Sequence, residues 1–220
     1  MNILVNGCSF SRGPGSWPYF LNCTSLVNLA CAGAGNNYIC DSTIRELHQR
    51  SYDHVIVMWS GLGRFDIQST FKDTAYNSGY QSTKNDWPQK IVIPINDQDY
   101  VETDWLFGCG HINHEHNILS SNIFTGIYKY STQKQLEQNS LARMVSLQSY
   151  LKCSNISYTF CLYQPYKIDF SLIDEKNCEI SDNISDIALK LSSYDTDGIH
   201  PGELAHKTWA DILNVNRLNI

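Results

Sequence analysis

The chain predicts an α/β fold, a three-layer α/β/α sandwich around a mostly parallel sheet of about five strands. Three observations carry this expectation. Apolar runs of strand length alternate with stretches of helical periodicity. One run, VIVMW at 55–59, is unbroken, as in a strand covered on both faces. The first three runs each stop at a loop rich in Gly, Ser or Asn. In a parallel sheet such loops emerge at the carboxyl edge, where ligands bind, so the loops at 7–15, 33–37 and 60–64 are expected to converge.

NILVN (2–6) is the first strand, stopped by Gly7, whose backbone freedom suits a sharp turn. Ser16 stands as an N-cap before Trp17 and Pro18, predicting a short helix over 16–22. SLVNLA (25–30) is a second strand. A Gly-rich turn from Ala32 to Asn37 then enters a helix over 37–50, where Ile39, Ile44 and Leu47 share a face. The third strand, 55–59, ends at Ser60–Gly63. Periodicity weakens over 66–128, where only IVIPI (91–95) reads as a strand, so this stretch is taken as a cap-like insertion in one domain spanning 1–220. A helix at 131–152 carries Leu136, Leu141, Val145, Leu147 and Leu151; ISYTFCLY supplies a strand at 156–163. A helix at 182–191, a loop from Asp195 to Gly202 and a final helix at 202–214 close the pattern.

Composition bounds the function. With 42% apolar and 17% charged residues over 220 positions the chain can bury a real core, which excludes disorder. Sixteen Lys+Arg against 22 Asp+Glu give a net charge of −6 with no basic stripe, which excludes a phosphate-neutralising nucleic-acid footprint. No apolar run approaches the roughly 18 residues of a membrane span, and MNILVNG lacks a leader pattern, so a cytoplasmic location is expected. Eight cysteines are scattered without a CxxC pair, several inside apolar runs, so they read as reduced packing residues rather than a disulfide framework.

Acyl transfer through serine needs a hydroxyl on a tight turn, a histidine to take its proton, a carboxylate to orient that histidine, and donors for the oxyanion. Ser9, in Gly7-Cys8-Ser9-Phe10, follows the first strand and falls at the carboxyl edge; Cys8, its neighbour on the alternating backbone, is expected to pack inward. In Asp197-Gly198-Ile199-His200-Pro201-Gly202 a carboxylate precedes a histidine by three positions in a loop that enters a helix. Taken singly, Ser9 is a turn residue, Asp197 a cap and His200-Pro201 a helix start. Taken together they are the parts of a serine hydrolase.

GCSFSRG near the start and DGIHPG near the end of such an α/β pattern resemble the first and last blocks of the SGNH/GDSL hydrolases. The resemblance covers the chain apart from about 66–128. It implies the flavodoxin-like variant of the fold, an esterase activity without metal or organic cofactor, Ser9 as nucleophile, His200 as general base and Asp197 as its partner. It also implies an oxyanion hole from the N–H groups of Ser9 and of Gly33, the glycine matching the family's second block. The third block departs from the family's Gly-x-Asn-Asp: Trp59-Ser60-Gly61-Leu62-Gly63-Arg64 has Leu62 near the asparagine position. It resembles a Trp-(Ser/Thr)-x-x-x-Arg variant of that block. Trp59, Ser60 and Arg64 are then the expected substrate-facing residues, and Asn36, Asn37 or Arg64 stands in for the missing side-chain donor.

The substrate class so implied is a small-molecule or glycan ester, with short acyl groups or O-acetyl groups foremost. An acyltransferase on the same residues, or a glycan-binding module with weakened turnover, are the alternatives. Cys109, His111, His114, Glu115 and His116 contain zinc-ligand types but no standard ligand spacing, so a polar cap loop is favoured over a metal site. Tyr76, Tyr80, Trp87, Tyr100 and Trp105 fit a sugar-stacking platform or a subdomain core equally. His206 in the final helix is taken as a surface residue.

Overall fold

The structure is a computed structural model that describes residues 1–13, 15–31, 33–68, 91–93, 105–108, 127, 129–166, 169–179 and 183–218. Among them the strands are β1 (Asn2–Asn6), β2 (Ser25–Asn28), β3 (His54–Trp59), β4 (Phe65–Gln68), β5 (Ile91–Ile93), β6 (Trp105–Gly108), β7 (Ser157–Leu162) and β8 (Cys178–Glu179). The helices are α1 (Asn36–Leu47), α2 (Gln133–Cys153), α3 (Ile184–Leu191) and α4 (Glu203–Leu213). Six strands form the main sheet in the order β5-β2-β1-β3-β7-β8, parallel throughout except for β5, which runs antiparallel on β2. The sixth strand beyond the expected five is β8, whose two residues are too short to show a period. β4 and β6 pair separately as an antiparallel ribbon.

The layers follow from handedness. Right-handed crossovers from β2 through α1 to β3, and from β3 through α2 to β7, run in one direction along the sheet and so put α1 and α2 on one face, where they pack together. The β1–β2 connection runs the opposite way and lies on the other face, where its turn Trp17–Phe20 packs against α4, and α4 against α3. β3 sits between, and Val55, Ile56, Val57 and Met58 have no exposure at all, which explains the unbroken apolar run. Each such side chain contributes roughly 1.5–3 kcal/mol by leaving water.

Two local expectations change. The predicted helix over 16–22 is only a 3₁₀ turn, Trp17–Phe20; the Ser16 hydroxyl donates to Gly13 O (2.8 Å) instead of capping the turn, and Leu21 returns to extended backbone. Trp17, fully buried and donating from its indole to Ser11 Oγ (3.0 Å), anchors the segment. Gly7 serves space rather than backbone freedom, since it is absent from the positive-φ glycines. A Cβ there would meet Ser11 Oγ at 2.5 Å and Met58 O at 3.1 Å. Gly7→Ala is therefore expected to destabilise by about 1–3 kcal/mol through overpacking, seen as a lower urea midpoint at unchanged slope.

Candidate active site

β1 delivers Ser9 to the carboxyl edge. Cys8 is extended (φ −104°, ψ −156°) and fully buried, and Ser9 opens a 3₁₀ turn closed by Ser11 N donating to Cys8 O (3.0 Å). The turn is held from β2, where Asn28 Nδ2 donates to Ser11 O (2.7 Å), and from the following loop, where Cys31 N donates to Gly7 O (3.1 Å).

The loop before α4 closes on itself through Asp195 N to His200 O (2.8 Å), Gly198 N to Asp195 O (2.9 Å) and Gly202 N to Ser193 O (2.9 Å). Gly198, at φ +68°, occupies the left-handed region that this tight return requires. Asp197 Oδ1 accepts the N–H groups of Ile199 (2.8 Å) and His200 (2.9 Å), and Oδ2 meets His200 Nδ1 in a very short contact. Those two backbone donors, with the imidazole, hold the Asp197 carboxyl down at about 2. An ionised carboxylate only accepts, so Nδ1 is the donor and Nε2 is left to accept. Nε2 lies 2.9 Å from Ser9 Oγ. The Phe10 ring packs beside His200 (5.2 Å between centroids) and against Tyr163 (4.7 Å), at the end of β7. Residues 191 positions apart are thus brought within one hydrogen bond.

The three loops do converge. Gly33, at φ +79°, lies in the loop from β2 to α1. Asn36 is 1% exposed; its Oδ1 accepts Ser60 N (2.9 Å) and its Nδ2 donates to Ser60 O (3.3 Å). Asn37 donates to Asp66 O (3.0 Å) and accepts from Arg143 Nε (2.9 Å). The Asn36 amide thus joins the second loop to the third, and the Asn37 amide ties α1 to β4 and α2. Arg64 Nη1 donates to Ala34 O (3.4 Å), and its side chain borders Gly61 together with the Tyr163 hydroxyl. Trp59 and Ser60, expected to face substrate, are instead interior: Trp59 is 1% exposed with its ring edge-on to Phe160, and Ser60 has no exposure. They continue a central strand that is covered on both faces.

Sequence reasoning misses Asp66. Its carboxylate, 2% exposed, accepts Gly35 N on Oδ1 (2.7 Å) and Tyr38 N on Oδ2 (2.9 Å), capping α1 from β4. Burial pushes this carboxyl up to about 7 against the pull of the two N–H donors and of Arg64. The available signal is Gly35 itself, an N-cap without a side chain, which requires an acceptor from elsewhere. His206 is corrected as well: it is buried, and its Nδ1 accepts Trp17 N (3.2 Å).

Seven cysteines are described, all free, five of them buried. Among the described residues no group of three or more His, Cys, Asp or Glu is arranged so that it could hold a metal ion, and no helix is long and apolar enough to cross a membrane. The 109–116 cluster and Tyr76, Tyr80, Trp87 and Tyr100 lie outside the described residues, and of Trp105 only the strand is described.

No family model matches the chain, and no curated protein matches it. Among solved structures, the crystal structure of the psychrotrophic esterase EstA from Pseudoalteromonas sp., inhibited by monoethylphosphonate, superposes with a TM-score of 0.52 at 13% identity, over 99% of this chain and 97% of that one. At that identity the likeness is one of fold: a mostly parallel α/β sheet with its helices, matched along nearly the whole length.

Proposed function

We propose that the protein is a serine esterase, acting through Ser9, His200 and Asp197 and a covalent acyl-enzyme. The observation that carries this is the hydrogen-bonded series from Ser9 Oγ to His200 Nε2 (2.9 Å) and from His200 Nδ1 to Asp197, assembled from opposite ends of the chain. The fold shared with the Pseudoalteromonas esterase supports esters as the substrate class.

In this reading His200 takes the Ser9 proton as Oγ attacks the ester carbonyl, then returns it to the leaving alkoxide; water, deprotonated by the same imidazole, releases the acid. Asp197, ionised, keeps His200 in the accepting tautomer and stabilises the imidazolium. The oxyanion is held by the N–H groups of Ser9 and Gly33. Arg64 is the side-chain donor we assign: a guanidinium carries five N–H groups in a fixed fork, so that it serves Ala34 O and a substrate oxygen together. Short acyl groups, including O-acetyl groups on glycans, are the proposed substrates, and the whole chain is read as one domain with the 66–128 stretch inserted.

A serine-directed fluorophosphonate is expected to label the protein once, at Ser9, and peptide mass mapping checks it. Labelling at Cys8 would relocate the nucleophile. No labelling, with glycan binding retained, would replace the esterase by a binding module.

A further inference from the structure

We propose that Phe10 is a positioning residue for His200, holding the imidazole over the site during deacylation, when its hydrogen bond to Ser9 is gone. The inference rests on the reading of Ser9 as nucleophile and His200 as base. In acylation the bond from Oγ to the carbonyl carbon forms, the bond to the leaving alkoxide breaks, and the Ser9 proton passes through Nε2 to that alkoxide. Ser9 Oγ is then an ester oxygen with no hydrogen to give, and Nε2, again without a proton, has nothing to accept from it. The hydrogen bond that joins base to nucleophile in the free protein is therefore absent from the acyl-enzyme. The second half-reaction needs the same nitrogen in the same place. Water bonds to the carbonyl carbon as its proton moves to Nε2, the carbon–Oγ bond breaks, and the proton returns to Oγ.

Of the contacts on the imidazole, those of Asp197 and Phe10 outlast acylation. Asp197 holds Nδ1, but it stands in the same loop as His200, so it orients the ring within that loop and not against Ser9. Residues 195–199 are all exposed, and the side chains of Asp197 and His200 are 44% and 26% exposed. The Phe10 ring lies on the nucleophile's side, 5.2 Å from the imidazole between centroids and tilted by 46°. Phe10 is the middle residue of the 3₁₀ turn Ser9–Ser11, which is fixed through Ser11: its Oγ accepts the Trp17 indole (3.0 Å) and its main-chain oxygen accepts Asn28 Nδ2 (2.7 Å). Behind Phe10 stands Tyr163, 4.7 Å away at 44°, itself edge-on to Tyr166 (5.9 Å). The Tyr163 main-chain oxygen accepts the Ser185 N–H (3.2 Å) and hydroxyl (2.6 Å) from the start of α3. Aromatic pairs favour tilted and edge-on contacts at such separations. The row Tyr166, Tyr163, Phe10 thus ends on the imidazole, and no link in it uses the Ser9 hydroxyl.

The test compares Phe10→Leu and Tyr163→Leu with the native chain by stopped flow on p-nitrophenyl acetate, with sites counted by fluorophosphonate carried to completion. Here kcat/KM reports formation of the acyl-enzyme, and the rate after the first turnover reports its hydrolysis. In Phe10→Leu deacylation is expected to slow about 10-fold, part of the roughly 10²–10⁴ that a general base supplies. At the same time kcat/KM stays within about threefold, and nitrophenolate is released in a burst of about one per site. KM falls with kcat, as an accumulating acyl-enzyme requires. Tyr163→Leu gives the same pattern at smaller amplitude. A folded Phe10→Leu protein with native deacylation per site overturns the proposal, as does equal slowing of both half-reactions, the mark of a disordered turn. Loss of folding in both variants also overturns it, since the ring row would then be a stability element only. Wild-type turnover in Ser9→Ala would remove the esterase reading itself, whatever Phe10 does.

Discussion

Ser9→Ala is expected to lower kcat/KM on p-nitrophenyl acetate by about 10⁴-fold or more, with an unfolding midpoint close to that of the native chain. Both halves follow from the geometry. The Ser9 hydroxyl donates to His200, whereas the turn around it is held by Ser11, Asn28 and Cys31, so removing Oγ leaves the scaffold intact. In the proposed mechanism what disappears is the covalent step, leaving water to attack a carbonyl still bound by the assigned oxyanion donors. A check separates this from a generic loss: residues that act as a unit are non-additive, so Ser9→Ala with His200→Ala together should be no slower than either alone. Turnover that survives Ser9→Ala, or losses that multiply in the double variant, would overturn the assignment.

Acidification should destabilise the fold by about 2 kcal/mol between pH 6.5 and about 4.5, and three buried groups set that slope. His54, 7% exposed between Ser157 Oγ and Thr159 Oγ1 (2.9 Å each), and His206, 7% exposed against Trp17 N, are both pushed down from 6.5 to about 4, chiefly by burial. In this window an unfolded chain protonates both imidazoles and the folded chain neither, so their stabilisation is complete above pH 6.5 and is lost as pH falls through about 4. Asp66 acts oppositely: with its carboxyl pushed up to about 7, the folded chain takes a proton that the unfolded chain does not. Two protons against one leave a net of one on the unfolded side, or about 1.4 kcal/mol per pH unit. Urea midpoints across the window check it. Asp66→Asn should about double the slope and His206→Gln should nearly flatten it; a flat curve for the native chain would refute the assignment.

Much of this architecture is legible in the sequence because the signals are local. β1 matches NILVN at 2–6, and the run at 55–59 sits in β3 because a strand covered on both faces must be apolar at every position. The three-residue spacing of Asp197 and His200 is also local, since one loop carries both. What escapes is long-range. β4 and β6 pair across the weakly patterned stretch, and nothing in FDIQ at 65–68 announces a partner at 105–108. Asp66 caps a helix begun 30 positions earlier in the chain, a relation with no spacing rule. Trp59 and Ser60 point inward because the sheet is covered where the chain leaves β3. His206 is a different case. The buried positions of α4 are Ala205, His206, Trp209, Ala210 and Leu213, one helical stripe that includes the histidine, so its burial was readable from periodicity.

Joining Ser9 to His200 across 191 positions also makes the site a clock. The same closure recurs nearby, where Trp17 N reaches His206 and Asn22 N reaches Asn214 Oδ1 (3.0 Å). These contacts belong to the longest loops the chain closes, the kind whose entropy is recovered only when the rest of the scaffold is in place. A refolding population can therefore regain sheet and helix signals while the Ser9–His200 pair is still open. Reactivity toward a serine probe would then time the closing of the Ser9–His200 pair rather than the collapse that precedes it.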